Sequence, residues 1–336
     1  MDRKTSALIF CCSLIAVVFA YNMFFREEEP RYPEIKEEFE IQGLISRTIA
    51  YYYFPGIYES MYDEESNLRL VSKARLVGAN YLLVRAFYNC TENGVLIGDD
   101  AEAERLLEGV ISMAHEYRLK VFLTPFVESM EFWPVRRWVL SVDTWTEKVL
   151  RWARFAEENG VELFAPGFEM AIIFDEEESM GWFREILPRI REVYGGKVAF
   201  AEIPYGEQWE YLDENRVFEG YDCAGITIFP WKDYDGVHDL RSLEDLKEHA
   251  EEQATRLDEI GERYGIDFRF VATLGMDHWF GEMPDALMRA KGYEAALDVL
   301  REHDVTGVFL HLWASEHDHL GEDEDVEDML RDRWTR

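Results

Sequence analysis

Glu169 ends an otherwise apolar run, Leu163-Phe164-Ala165-Pro166-Gly167-Phe168-Glu169-Met170. A charge in such a run must face a solvated mouth or be paired, because burying it alone is expensive. Desolvation by neighbouring aromatic rings raises a carboxyl pKa, which is what a general acid for a glycosidic oxygen needs. A structural carboxylate bonded to a loop amide would occupy the same place, and spacing alone leaves both readings open. Aromatic residues recur at matching points along the chain: Tyr52, Phe87, Trp133, Trp231, Trp279 and Trp313. Sugar rings present C–H faces that pack on such side chains. A single tryptophan serves core packing equally well, so the argument lies in their common placement. Aromatic faces with carboxylates suit a carbohydrate.

Histidines cluster late. His278, His311, His317 and His319 are interleaved with Asp277, Glu316 and Asp318. Imidazole and carboxylate are the raw material of a metal site, and a metal-dependent hydrolase built on Asp277, His278, His311 and His317 is one reading. The early paired histidines of barrel metallohydrolases and any H-E-x-x-H sequence are missing. The preferred reading therefore has no metal and no cofactor, with His311 hydrogen-bonded to a sugar hydroxyl or to Glu169. Leu274-Gly275-Met276-Asp277 and Trp313-Ala314-Ser315-Glu316 hold few glycines, which argues against a phosphate cradle.

These residues need elements to position them. Eight short apolar runs alternate with amphipathic helical stretches: Ile49–Phe54, Asn80–Tyr88, Lys120–Phe126, Val161–Glu169, Lys197–Ile203, Cys223–Phe229, Phe268–Leu274 and Thr306–Trp313. Near-continuous apolarity is expected of strands covered on both faces, and the alternation predicts βα units in a parallel sheet. Eight units in one chain predict a single (β/α)8 TIM barrel, whose active site lies at the strand C-terminal ends. The candidate residues fall at those ends. Ser242-Leu243-Glu244-Asp245 starts a long helix; Gly160, Gly195, Gly196 and Gly265 close helices, where left-handed caps are expected.

Three stretches divide the chain. Residues 1–25 begin with Arg3 and Lys4, and Ala7 to Phe25 hold nineteen uncharged residues. That length crosses a bilayer, and the basic flank predicts that the rest lies outside. Val18-Phe19-Ala20 equally suits cleavage of a signal peptide. Residues 26–43 are charged and proline-containing, a predicted stalk, and residues 44–336 are the predicted barrel. The expected location is the cell surface, anchored through the N-terminal helix, or the secreted fraction. The net charge of −33, from 68 acidic against 35 basic residues, disfavours nucleic acid, which is bound by neutralising phosphates. Such a load suits a saline milieu or an acidic docking face. Cys11, Cys12, Cys90 and Cys223 imply no disulfide framework, and Asn89-Cys90-Thr91 is a glycosylation sequon.

Consecutive blocks carry a resemblance. LRWARFAEENGVELFAPGFEM (Leu150–Met170), WFREILPRIREVYGGKVAFAE (Trp182–Glu202) and YDCAGITIFPW (Tyr221–Trp231) resemble clan-A glycoside hydrolases typified by bacterial endo-β-1,4-mannanases, glycoside hydrolase family 113. In that pattern a helix leads to a strand ending Gly-x-Glu, then Arg-x-x-Tyr-x-Gly-Lys opens the fifth strand. The match runs from about Asn80 to Trp313. The resemblance implies a retaining barrel acting on an oligo- or polysaccharide, with Glu169 as acid/base. One departure stands out: the family's strand-seven nucleophile, in Thr-Glu-(Ile/Phe)-Gly, aligns with Thr273 of Ala272-Thr273-Leu274-Gly275. A threonine hydroxyl is a poor nucleophile without an activating base. Retention needs a second carboxyl about 5–5.5 Å from the first, and inversion needs about 6.5–9.5 Å. Glu202 is the first candidate and Asp277 the second, with Glu316 further along. A barrel that binds glycan without cleaving it is the alternative.

Overall fold

In the computed structural model the described residues are 32–45, 64–90, 96–97, 100–129, 141–168, 170, 176–202, 208–228, 242–276, 286–311 and 324–336. The strands are β1 (Ile41–Ile45), β2 (Tyr81–Cys90), β3 (Leu96–Ile97), β4 (Lys120–Ser129), β5 (Leu163–Phe164), β6 (Lys197–Glu202), β7 (Cys223–Ile228), β8 (Phe268–Gly275) and β9 (Gly307–His311). The helices are α1 (Glu64–Leu76), α2 (Asp100–Glu116), α3 (Val142–Glu158), α4 (Glu176–Arg191), α5 (Gln208–Glu214), α6 (Leu243–Tyr264), α7 (Ala286–Glu302) and α8 (Glu324–Trp334).

Eight strands pair in parallel in the order β1-β9-β8-β7-β6-β5-β4-β2, and β1 also pairs with β2, which closes the ring. β3 is an antiparallel addition to the end of β2, through Asn89↔Ile97 and Cys90↔Leu96. This is the (β/α)8 barrel that the alternating runs predict. Its first strand is displaced. β1 is Ile41–Ile45, upstream of the aromatic run Ile49–Phe54, which lies outside the described residues. The boundary drawn at residue 43 therefore falls inside a barrel strand, and the compact unit begins at Glu34. Residues 34–39 are bound to the last helix: Ile35 bridges Thr335, and the Arg333 guanidinium grips Glu38 with Nε–Oε2 at 3.1 Å and Nη2–Oε1 at 2.5 Å. The span Ala7–Phe25 lies outside the described residues. Among those described, no helix is long and apolar enough to cross a membrane.

Strand alternation sorts the side chains into two cores. One lies between sheet and helices, where α3 contributes Trp145, Val149, Trp152 and Phe155 at helical spacing. The other fills the lumen with Tyr81, Leu83, Phe122, Leu163, Phe270 and Phe309, among others. Rings in the lumen meet edge to face; Phe122 and Phe270, for instance, have centroids 5.8 Å apart at 87°. Glycines make room for these rings: any Cβ on Gly43 would collide with Phe309, and one on Gly225 would lie 2.7 Å from the Phe270 ring. Apolar layers therefore plug the foot of the barrel.

Caps fall largely where expected. Ser242 Oγ accepts from the Asp245 amide at 3.1 Å, and Gly265 closes α6 in the left-handed region at φ 67°. Gly160 follows α3 at φ 65°, whereas Gly195 and Gly196 have no positive φ. Gly196 is needed for a different reason: a Cβ there would strike the Tyr194 hydroxyl. Cys90 ends β2 and Cys223 begins β7, so they lie at opposite ends of the barrel. Burial pushes the Cys223 thiol up to about 12, as expected of an inert structural cysteine.

Candidate functional site

Above the apolar plug the lumen turns polar. Continuing the alternation that puts Tyr81 and Leu83 inside, β2 projects Arg85 into the lumen, 6 % exposed. Its Nη2 donates to Thr273 Oγ1 at 3.4 Å, past the intervening strands β1 and β9. Its guanidinium carbon lies 5.0 Å from the Phe126 ring centroid and 5.1 Å from that of Phe168. Two ring faces thus hold a cation whose desolvation they partly offset.

Thr273 reaches this position through an irregularity in β8. Against β7, Ile226 pairs with Val271 and the next residue, Thr227, with Thr273; against β9, Val271 pairs with Val308 and Leu274 with Leu310. An extra residue is accommodated there. Ala272 joins the lumen core while Thr273 also meets Arg85. Bulges re-aim side chains in this way beside functional sites. On β7, Cys223 and Gly225 face the lumen, and the period brings Thr227 to the same side. Thr227 is 6 % exposed, and its hydroxyl finds no hydrogen-bond partner among the described residues. Thr124 on β4 donates to the Pro125 carbonyl at 3.2 Å. On β9, His311 is buried at the C-terminal end and paired in register with Gly275; its own carbonyl accepts from the Tyr293 hydroxyl at 2.5 Å.

The sequence candidates divide accordingly. Arg85, Thr273 and His311 belong to the described lumen, and only the latter two were singled out from sequence. Arg85 carried a readable signal, a lone charge within the apolar strand NYLLVRAFY. Glu169 lies outside the described residues, between Phe168 in the lumen core and Met170 in the helix-side core, both fully buried. Tyr52, Trp133, Trp231, Asp277, Trp279 and Trp313 also lie outside them. Phe87 and Glu202 are described in backbone only. Phe87 pairs with Phe126, and Glu202 pairs with Ile226. In β6, Ala199 and Ala201 belong to the lumen and Val198 and Phe200 to the helix side. Among the described residues no group of three or more His, Cys, Asp or Glu side chains is placed to hold a metal ion.

A second polar cluster braces the same rim from outside. The Tyr88 hydroxyl donates to Asp100 at 2.7 Å and accepts from Trp152 Nε1 at 2.6 Å; Lys148 and Arg151 also reach Asp100, at 2.6 and 2.9 Å. Burial alone would raise the Asp100 carboxyl, but the Lys148 and Tyr88 hydrogen bonds with the two cationic charges bring it below the usual range. The Tyr88 phenol is raised by burial and by Asp100.

This architecture is shared with solved enzymes. The β-mannanase of Alicyclobacillus acidocaldarius, a member of glycoside hydrolase family 113 solved with ManMIm, superposes with a TM-score of 0.61 at 16 % identity, over 88 % of this chain and 96 % of that one. The fold is that of the family 113 β-mannanases. An endo-1,4-β-D-mannanase of Thermotoga petrophila gives a TM-score of 0.55 at 12 % identity, covering 88 % of this chain and 98 % of the other. A broad-specificity endoglucanase of Clostridium longisporum gives 0.57 at 12 % identity, over 88 % and 95 %. No family model and no curated protein sequence matches the chain.

Proposed function

We propose that this chain is a glycoside hydrolase acting on a β-linked polysaccharide outside the cell, held there by its N-terminal segment or secreted. Glu169 protonates the glycosidic oxygen and later takes a proton from water. A second carboxylate is the nucleophile or the water-activating base, at the separations that distinguish retention from inversion. Glu202 is the first candidate and Asp277 the second. Tyr52, Phe87, Trp133, Trp231, Trp279 and Trp313 hold the sugar rings, and His311 hydrogen-bonds a sugar hydroxyl or Glu169.

The observation that carries this reading is the closed eight-stranded barrel whose polar lumen opens at the strand C-terminal ends, a fold shared with mannanases and an endoglucanase. Such ends are where barrel enzymes place their chemistry. Glu169→Gln tests it on a panel of mannans, glucans and envelope polysaccharides. Cleavage should fall by at least about a hundredfold, while retention on the same glycan by affinity electrophoresis persists. Unchanged cleavage would remove Glu169 from the role.

A second reading, a glycan-binding barrel without catalysis, is favoured by Thr273, a neutral side chain buried against Arg85 at the strand-seven position. Saturable retention of a glycan that the wild-type chain never cleaves would select it.

A further inference from the structure

We propose that Tyr293 is a positioning residue, which locks the mouth end of β9 in the register that keeps the His311 imidazole on the lumen side. The irregularity in β8 creates the need for a lock. Val271 pairs with Val308 and Leu274 with Leu310, so three steps of β8 run beside two of β9. Beyond that point the two strands share only the pairs Leu274↔Leu310 and Gly275↔His311. On its other side β9 pairs with β1 for the last time at Leu44↔Leu310. In the ladder, His311 is therefore paired with Gly275 alone, a residue with no side chain to hold a register. A slip by one residue exchanges the two faces of a strand, and a short ladder beyond a bulge resists it weakly.

Tyr293 supplies the missing restraint from the helix layer. It is 1 % exposed and shares the helix-side core with Ala296, Leu297 and Leu300 of α7. A phenol buried among such neighbours needs an acceptor, and it donates to the His311 carbonyl at 2.5 Å. The bond engages the main chain of residue 311 and not its imidazole. Val308 and Leu310 belong to the helix-side core and Phe309 to the lumen, so the strand period carries His311 to the lumen side, where it is 7 % exposed. A slip would turn the imidazole towards the apolar helix layer and Leu310 towards the polar mouth. The consequence for glycan binding rests on the proposed function, in which His311 hydrogen-bonds a sugar hydroxyl or Glu169. The lock itself does not depend on that reading.

The test removes one oxygen from the full chain: Tyr293→Phe keeps the ring and takes away the donor. Affinity is read as retention in gels containing soluble mannan or soluble β-glucan. Tyr293→Phe should weaken retention by about tenfold, the scale of one hydrogen bond. A positioning role acts through His311, so in a His311→Ala background the same substitution should change nothing further. The Cε1–H proton resonance of His311, assigned by its loss in His311→Ala, should shift and broaden in Tyr293→Phe. Equal weakening in both backgrounds, or an unmoved resonance, overturns the proposal. A chain that retains and cleaves neither glycan, but whose resonance moves, upholds the lock and counts against the proposed function alone. Should Tyr293→Phe fail to fold by circular dichroism, the wild-type spectrum decides: a slowly exchanging Tyr293 hydroxyl proton supports the lock, and a freely exchanging one overturns it.

Discussion

Two buried polar side chains, Gln42 at the foot of this barrel and Thr227 at its mouth, are treated in opposite ways. At the foot, Gln42 is fully buried and fully used: its Oε1 accepts from the Glu38 and Phe39 amides at 2.6 and 3.0 Å, and its Nε2 donates to the Gly78 carbonyl at 3.0 Å. At the mouth, Thr227 is almost as buried, yet its hydroxyl has no partner among the described residues. Buried polar atoms in native structures are nearly always satisfied. Exceptions occur at both ends among the described residues, since Trp334 Nε1 and Arg269 Nε at the foot also lack partners; Thr227 differs from them in lying on the lumen side of its strand.

The largest expected effect tests the foot alone. Trp334 is fully buried; its carbonyl accepts from the Lys36 amide at 2.7 Å, and its neighbour Arg333 grips Glu38. Trp334→Ala should cost about 3–5 kcal/mol in denaturant unfolding. Glycan retention per folded molecule should not change. A loss of retention in the folded fraction would show that foot and mouth are coupled.

A paired comparison sharpens the contrast. Gln42→Leu strands the buried amides of Glu38 and Phe39 and should cost about 1–3 kcal/mol. Thr227→Val replaces an unpartnered hydroxyl with a methyl of similar size and should be neutral or slightly stabilising without ligand. Equal destabilisation by the two, measured in the same urea titration, would mean that the Thr227 hydroxyl is satisfied in solution.

How far the sequence revealed this contrast depends on the element. Seven of the eight barrel strands were legible because they are long apolar runs. The first was not, because IQGLI is short and its composition serves the foot. Gly43 yields to the Phe309 ring and Gln42 caps the chain entry, so two of its five residues lack β-strand character. The run Ile49–Phe54 carried the stronger apolar signal and drew the assignment. At the mouth, Thr273 was legible through a motif, whereas its meeting with Arg85 was not. That contact joins strands far apart in sequence and needs the irregularity in β8, which no periodicity announces. Thr227 was invisible for a simpler reason: a threonine in a strand is ordinary until its hydroxyl is found without a partner.

Smaller effects come from pH, and the two ends respond oppositely. Asp100 braces the mouth with a carboxyl held below its ordinary range, chiefly by Lys148 and Tyr88 against the opposing effect of burial. A depressed carboxyl contributes stability above its unfolded value near 4, and that contribution is lost as pH falls through the folded value. Lys148→Met should shrink the acid-side loss, read as the thermal midpoint between pH 5 and pH 3.

His303 works at the foot, where α7 ends before β9. Its Nδ1 lies 2.8 Å from Asp258 and its Nε2 3.1 Å from Glu251. Burial would lower the imidazole, but the two carboxylates outweigh it and the net shift is upward. A raised histidine contributes stability that is complete below the unfolded value of about 6.5 and disappears as pH rises through the folded one. The midpoint should therefore decline from neutral pH towards alkaline pH in the wild-type chain, and high salt should flatten the decline only partly, since the imidazole is mostly sheltered. His303→Gln keeps the shape and removes the charge, so its profile should be flat over that window and meet the wild-type curve at its alkaline end. Parallel curves for the two chains would mean that the imidazole is neutral throughout, and that the carboxylates around it are balanced by Arg269, 3.8 Å from Asp258, instead.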